Sequence, residues 1–256
     1  MKKQIKSLKS NFFKKIFIKI CRLIGYEIID QNKYEVPTLN KKLGDSISIP
    51  GKKSITVPLG EIKITRKISS LKIIFRSCTS ELIMDQNKKR LFEKEKNEYT
   101  FRSLNSLLLS INYAKKKFSN ISYQIIVTDT NSKKEDLVKI KNILSKHPIN
   151  NKLIEINLNE YKEKISGEYT PAKFANMANL YTSLKIVKEE NSDLIYFVED
   201  DYIHKKESIV EMLFSFEKFS TIFKKDVFLL PADYPYLYIK NDNTNIFLGH
   251  KKHWRL

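Results

Sequence analysis

Cysteine is nearly absent from this chain: in 256 residues there are only two, Cys21 and Cys78. They lie far apart with no ligand-like neighbours, which excludes a disulfide framework and a zinc knuckle and points to a reducing, cytoplasmic compartment. Glycine is scarce at six residues, and tryptophan occurs once. No apolar run approaches the roughly 18 to 20 residues that a bilayer span needs. Acidic residues are outnumbered, 29 against 47 Lys and Arg, for a formal net charge of +18. Such an excess suits anionic partners, because clustered cations neutralise phosphates and speed encounter with polyanions. Here, however, the lysines are scattered over almost every polar stretch together with abundant Ile and Asn, a bias that an AT-rich genome produces without selection for a binding surface. No nucleic-acid partner is therefore expected; sugar nucleotides or acidic lipid headgroups fit the residual excess.

What is present divides the chain into three parts. Residues 1–29 place Phe12, Phe13, Ile16, Phe17, Ile20, Leu23 and Ile24 at helical spacing with the lysines largely on the other side, the pattern of a basic amphipathic helix. The stretch lacks the continuous h-region and small-residue cleavage site of a signal peptide. It is expected either to touch an anionic inner membrane leaflet or to pack on the body of the protein. Residues 30–70, punctuated by Pro37, Pro50, Gly51, Pro58 and Gly60, read as a loop-rich connector. Residues 71–256 then alternate short apolar strands with helical periodicity, as expected of an α/β domain with a mostly parallel sheet flanked by helices.

Strands are predicted at 71–76, 123–128, 153–158, 194–198 and 227–230. Leu104, Leu107, Leu108 and Ile111 make one helical stripe, and Leu137, Ile140, Ile143 and Leu144 another. A third helix opens at Thr170-Pro171, an N-cap followed by proline in the first turn, and is predicted to turn Phe174, Met177, Ala178, Tyr181, Leu184 and Val187 inward.

Ligands of open α/β sheets bind beyond the carboxyl ends of the strands. Three of these ends are polar: Arg76-Ser77-Cys78-Thr79-Ser80, Thr128-Asp129-Thr130-Asn131-Ser132, and Glu199-Asp200-Asp201. Three consecutive carboxylates after what reads as a buried strand, 194–198, repel one another unless a cation or several donors offset the charge. Mn²⁺ or Mg²⁺ takes oxygen ligands and is commonly shared between one or two carboxylates and substrate phosphates, which makes Asp201 the candidate metal ligand. The competing expectation is that Asp200 and Asp201 cap the helix that begins near 205–207. Asp129 stands where it can accept hydrogen bonds from a base or ribose, or simply form an Asx turn. Arg76, with Ser77 beside it, is placed to grip a phosphate as a planar fork. Asp233, within the aromatic, proline-stiffened stretch 229–238, is the candidate catalytic base. His250 and His253 are candidate additional metal ligands. The chain then runs out at Trp254-Arg255-Leu256 without an obvious closing element, and a truncated acceptor part is expected.

Taken together, the strand followed by Asp129, the run Asn176-Met177-Ala178-Asn179 and the strand followed by Glu199-Asp200-Asp201 resemble the nucleotide-binding half of GT-A glycosyltransferases, particularly family 2, over roughly residues 71–219. The resemblance implies a Rossmann-like nucleotide-binding half. Asp129 would contact the nucleobase, and Glu199, Asp200 and Asp201 would stand at the D-x-D signature that binds the metal and the donor diphosphate. Glu199 departs from the usual first Asp. The implied activity is metal-dependent transfer of a sugar, with inversion, from a nucleotide-sugar donor to a glycan or lipid-linked acceptor in cell-envelope polysaccharide synthesis. A sugar nucleotidyltransferase would share the core and the metal but needs a glycine-rich phosphate loop after the first strand, and residues 76–80 contain no glycine. A basic module that binds membrane or nucleic acid without catalysis would leave the triplet unexplained.

Overall fold

The computed structural model describes residues 12–26, 63–80, 94–189, 191–232 and 246–255. The chain divides into two compact units, one formed by residues 65–221 and 225–229, the other by residues 1–64, 222–224 and 230–256.

The first unit carries the sheet. Strands β1 (Ser70–Ser77), β2 (Ser122–Asp129), β3 (Asn150–Glu155) and β4 (Leu194–Glu199) form one sheet in the order β3-β2-β1-β4, with every pairing parallel. Helices α2 (Lys96–Lys117), α3 (Lys134–Ser145), α4 (Pro171–Glu189) and α5 (Ser208–Phe223) connect or follow the strands. The central strand β1 reads Ser-Leu-Lys-Ile-Ile-Phe-Arg-Ser, and Leu71, Ile73, Ile74 and Phe75 are all buried. A continuous apolar run of this kind is what a strand covered on both faces requires. Its neighbour β2 contributes Ile125, Ile126 and Val127, each with no exposed surface.

The predicted stripes pack as the periodicity requires. Leu104, Leu107, Leu108 and Ile111 of α2 are fully buried, and Leu137, Ile140, Ile143 and Leu144 of α3 are buried beside them, the two helices being in contact. Because β1-α2-β2-α3-β3 steps one way across the sheet and β4 returns to the far side of β1, right-handed crossovers put α4 on the opposite face from α2 and α3. It contacts β1 and β2 there. The expected N-cap is present, Thr170 Oγ1 accepting from the Lys173 amide at 3.4 Å.

Four expectations need correction. The third strand is Asn150–Glu155 rather than 153–158, and Leu158–Tyr161 forms a 3₁₀ turn. Residues 227–230 make no strand; Phe228 and Leu230 are exposed, and a four-residue apolar run carries no periodicity to tell a strand from coil. On α4, Ala178 faces inward as expected and Phe174 and Met177 pack partly buried, but Tyr181 and Leu184 are exposed, and the small or polar Ala175, Asn179, Thr182 and Ser183 take the inward face. Small residues let that helix approach the sheet closely, so its hydrophobic periodicity misleads. Finally, β4 is not a buried strand. Among the described residues it pairs only with β1, Val198 alone is buried, and Phe197 is 41% exposed.

In the second unit, helix α1 covers Phe12–Leu23, and β5 (Ile246–Leu248) pairs with β6 (His253–Arg255) as an antiparallel ribbon closed by the Gly249 amide donating to the Lys252 carbonyl. Phe247 is buried and meets Phe223 edge-to-face. Of the predicted helix over 1–29, residues 1–11 and 27–29 lie outside the described residues, as does most of the connector, 30–62. Among the described residues no helix is long and apolar enough to cross a membrane.

Candidate functional site

The strand order reverses at β1: the chain runs outward through β2 and β3, then places β4 on the other side. The carboxyl ends of β1 and β4 flank this reversal, the position at which doubly wound sheets form the crevice that binds ligands. The register sets Arg76 opposite Glu199 across these strands, and Ser77 opposite Asp129 across β1 and β2. The three polar strand ends foreseen from sequence therefore meet along one edge of the sheet.

Their chemistry differs. Asp129 is 2% exposed, with both carboxylate oxygens occupied. One accepts from the hydroxyls of Ser77 and Ser132, each at 2.6 Å, and the other from the Ser132 amide at 3.2 Å. This is an Asx turn, helped by Asn131 in the left-handed region at φ 58°, which asparagine tolerates better than most residues. Burial raises the Asp129 pKa, and the bonds from Ser132 and Ser77 oppose that rise. A base or ribose cannot reach this carboxylate unless Ser132 moves, so Asp129 and the equally buried Ser77 position the β1 and β2 ends rather than face the crevice.

Asn179 does similar work from α4. Its amide nitrogen donates to the carbonyls of Thr128 (2.9 Å) and Ser77 (3.4 Å), while its side-chain oxygen accepts from the Thr128 hydroxyl at 2.7 Å.

The triplet after β4 separates into three environments. Asp200 is buried, and one of its oxygens accepts from the Cys78 amide (3.1 Å) and the Thr100 hydroxyl (2.9 Å), with the Lys96 ammonium 3.7 Å away. It anchors the turn to β1 and to the first turns of α2. The expected cap on α5 is absent: α5 begins at Ser208, and its first amides go to the Lys205 carbonyl, the Ser110 hydroxyl and the Glu207 carbonyl. Glu199 is exposed and accepts from Arg76 at 3.2 Å. The same guanidinium donates to the Asn176 side chain. Asp201 reaches solvent, yet dense protein around it strips part of its hydration. That desolvation, then the negative charges of Asp200 and Glu199, raise its pKa, against a weaker pull from its own backbone amide and Lys96.

Of these residues, Asp201 is the one that could hold a divalent cation. Three carboxylates confront two cationic side chains, Arg76 and Lys96, which leaves one negative charge; Glu199 and Asp201 are both exposed, but Glu199 is paired with Arg76, and Asp201 is the one under like-charge pressure. Two further polar atoms at the end of β1, Arg76 Nε and Thr79 Oγ1, are buried with no hydrogen-bond partner. A buried donor left unmade costs about 1–3 kcal/mol, so such atoms mark where a ligand oxygen gains most. Among the described residues no three His, Cys, Asp or Glu side chains converge on a metal position; a cation here would be held by one or two carboxylates, with water and phosphate completing its shell.

Sequence reasoning missed what holds this loop in place. Helix α2 presents a hydroxyl stripe at Thr100, Ser103, Ser106 and Ser110. Besides the Thr100 bond to Asp200, Ser103 donates to the Tyr202 carbonyl (2.6 Å), Ser106 accepts from the His204 amide (3.0 Å) and Ser110 accepts from the Ile209 amide (3.1 Å). The spacing of three and four residues, one step round from the Leu104-Leu107-Leu108-Ile111 stripe, is the signal that would have found it. His204 adds a bond between its Nε2 and the Tyr196 hydroxyl (2.9 Å); burial lowers its pKa to about 4, and Nδ1 has no partner.

Asp233 and the aromatic residues 234–238 lie outside the described residues. His250 and His253 are exposed on the β5–β6 ribbon of the other unit, with no third ligand gathered round them among the described residues. A shallow depression of about 150 Å³ lies at the amino ends of the strands, lined by residues such as Lys72, Tyr123 and Asn150, away from this chemistry. Comparison of the chain with protein-family models, with curated proteins and with solved structures gave no match.

Proposed function

We propose that the chain is a glycosyltransferase that binds a nucleotide-sugar donor at the carboxyl ends of β1 and β4 and transfers its sugar to a hydroxyl acceptor. One observation carries the reading: an acidic triplet, only one member of which is buried, stands at the reversal point of a 3-2-1-4 parallel sheet opposite an arginine. Doubly wound sheets take up nucleotides at that point.

In this reading Asp201 holds Mn²⁺ or Mg²⁺, which when bound neutralises the leaving diphosphate. Arg76 turns its buried Nε and Lys96 its ammonium toward the same phosphates, and each supplies charge that a water-filled crevice would not. Glu199, released from Arg76, accepts from a donor hydroxyl. Asp200 and Asp129 act at one remove by fixing the loops that carry these groups. Asp233 is the proposed base for the acceptor proton. The GT-A family 2 assignment, an inverting outcome and a cell-envelope acceptor belong to this proposal and rest on the sequence resemblance.

The test is a thermal-shift screen of UDP-, GDP-, CMP- and dTDP-sugars with and without Mn²⁺. Stabilisation by one donor that requires the metal is expected. No response to any of the four donors, with or without metal, would sink the reading.

A further inference from the structure

Helix α1 is 12 residues long, about 18 Å at the α-helical rise, too short to cross a bilayer. Yet its large apolar side chains are not put away. Ile16, Phe17, Ile20, Leu23 and Ile24 are 40–78% exposed. At about 100° per residue they share one arc of roughly 120°, and Lys19 falls outside it. Gly25, at φ 89°, ends the helix, with the Tyr26 amide donating to the Cys21 carbonyl at 2.8 Å; Tyr26 itself is 70% exposed just beyond the arc. Tyrosine, with an apolar ring and a polar tip, favours the boundary between lipid and water. The charge around this arc has one sign: residues 1–26 contain eight Lys and Arg and no Asp or Glu.

We propose that α1 lies flat on bilayers that contain anionic lipid, its apolar arc set among the upper acyl chains and its cations against the headgroups. Two features on one short segment select this occupant. An exposed apolar arc of five large side chains has no counterpart in a phosphate-backbone contact, which needs cations alone. A run of eight cations without an acid goes beyond what an apolar protein groove asks for. Together they match the interfacial helix, which couples buried apolar area to attraction by anionic lipid. The inference stands independently of the donor-site reading, since it draws on the other unit.

The test uses the full chain in flotation with vesicles of phosphatidylcholine alone or mixed with phosphatidylglycerol. Each basic residue near the surface contributes roughly fivefold to partitioning, so a preference of at least tenfold for the anionic vesicles is expected, lost at high salt. The double variant Phe17→Asp/Ile20→Asp should lose the binding while keeping the far-ultraviolet circular dichroism and the unfolding midpoint of the parent, because both side chains are exposed. The proposal is overturned by equal binding to neutral and anionic vesicles, by binding that survives the double variant or high salt, or by no vesicle binding, including the case in which the same segment binds an oligonucleotide or a second copy of the chain.

Discussion

Two strands of the sheet end in carboxylates, and the structure treats them in opposite ways. At the end of β2, Asp129 is enclosed and its oxygens are taken by Ser77 and Ser132. At the end of β4, Asp201 reaches the surface beside two further carboxylates, with its pKa driven up first by desolvation and then by their charge. Position after a strand, the feature that makes both attractive in the sequence, does not separate them. What separates them is how many donors the surrounding loops supply. A satisfied buried carboxylate holds loops together, whereas a crowded exposed one has binding energy to offer a cation.

The comparison can be broken first on stability. Asp129→Ala strands three donors in a buried turn and should cost about 3 kcal/mol in denaturant unfolding. Asp200→Ala, with two hydrogen bonds and a nearby ammonium lost, should cost about 2 kcal/mol. A small loss for Asp129→Ala would mean that the turn is open after all.

His204 sharpens the contrast, because it fastens the loop that follows the triplet. Its folded pKa, about 4, lies below its ordinary value of about 6.5, so the folded state binds a proton less readily than the unfolded chain. The stability this group contributes is therefore complete above pH 6.5 and declines as the pH falls toward 4, by at most about 3 kcal/mol. His204→Gln, which cannot titrate, should flatten that part of the stability–pH curve.

The smallest effect falls on Asp201. Its raised pKa means that ionisation costs more in the folded state, so its contribution is most favourable below the ordinary carboxylate range and fades as pH rises through the raised value. Without divalent metal, Asp201→Asn should then stabilise the protein near pH 7 by less than about 1 kcal/mol, since the group is exposed and screened, and the gain should vanish at low pH. A variant less stable than the parent at pH 7 would show that Asp201, like Asp129, is structurally engaged.

How far the sequence foretold this molecule depends on which side chains made the pattern. Leu104, Leu107, Leu108 and Ile111 announced α2, and the apolar runs ending at Arg76 and Asp129 announced β1 and β2, because periodicity and continuous burial are readable in one dimension. Helix α4 was found and Ala178 faces inward as expected, but Ala175 and Asn179 share its buried face while Tyr181 and Leu184, expected there, are exposed. The site was legible as a set of strand ends and no further. Whether Asp129 is closed or Asp201 open depends on Ser77, Ser132 and the hydroxyl stripe of α2, partners distant in sequence whose meeting only the fold decides.

The most direct test of an open Asp201 beside a closed Asp129 is calorimetric titration of Mn²⁺, in the presence of the donor that stabilises the protein most, into the parent and Asp201→Asn. The account predicts binding of the metal to the parent and at least about a tenfold loss in the variant, or about 1.4 kcal/mol, with the unfolding transition intact. Equal affinity in both would contradict it, because the carboxylate left free by the fold would then have nothing to do with the ion.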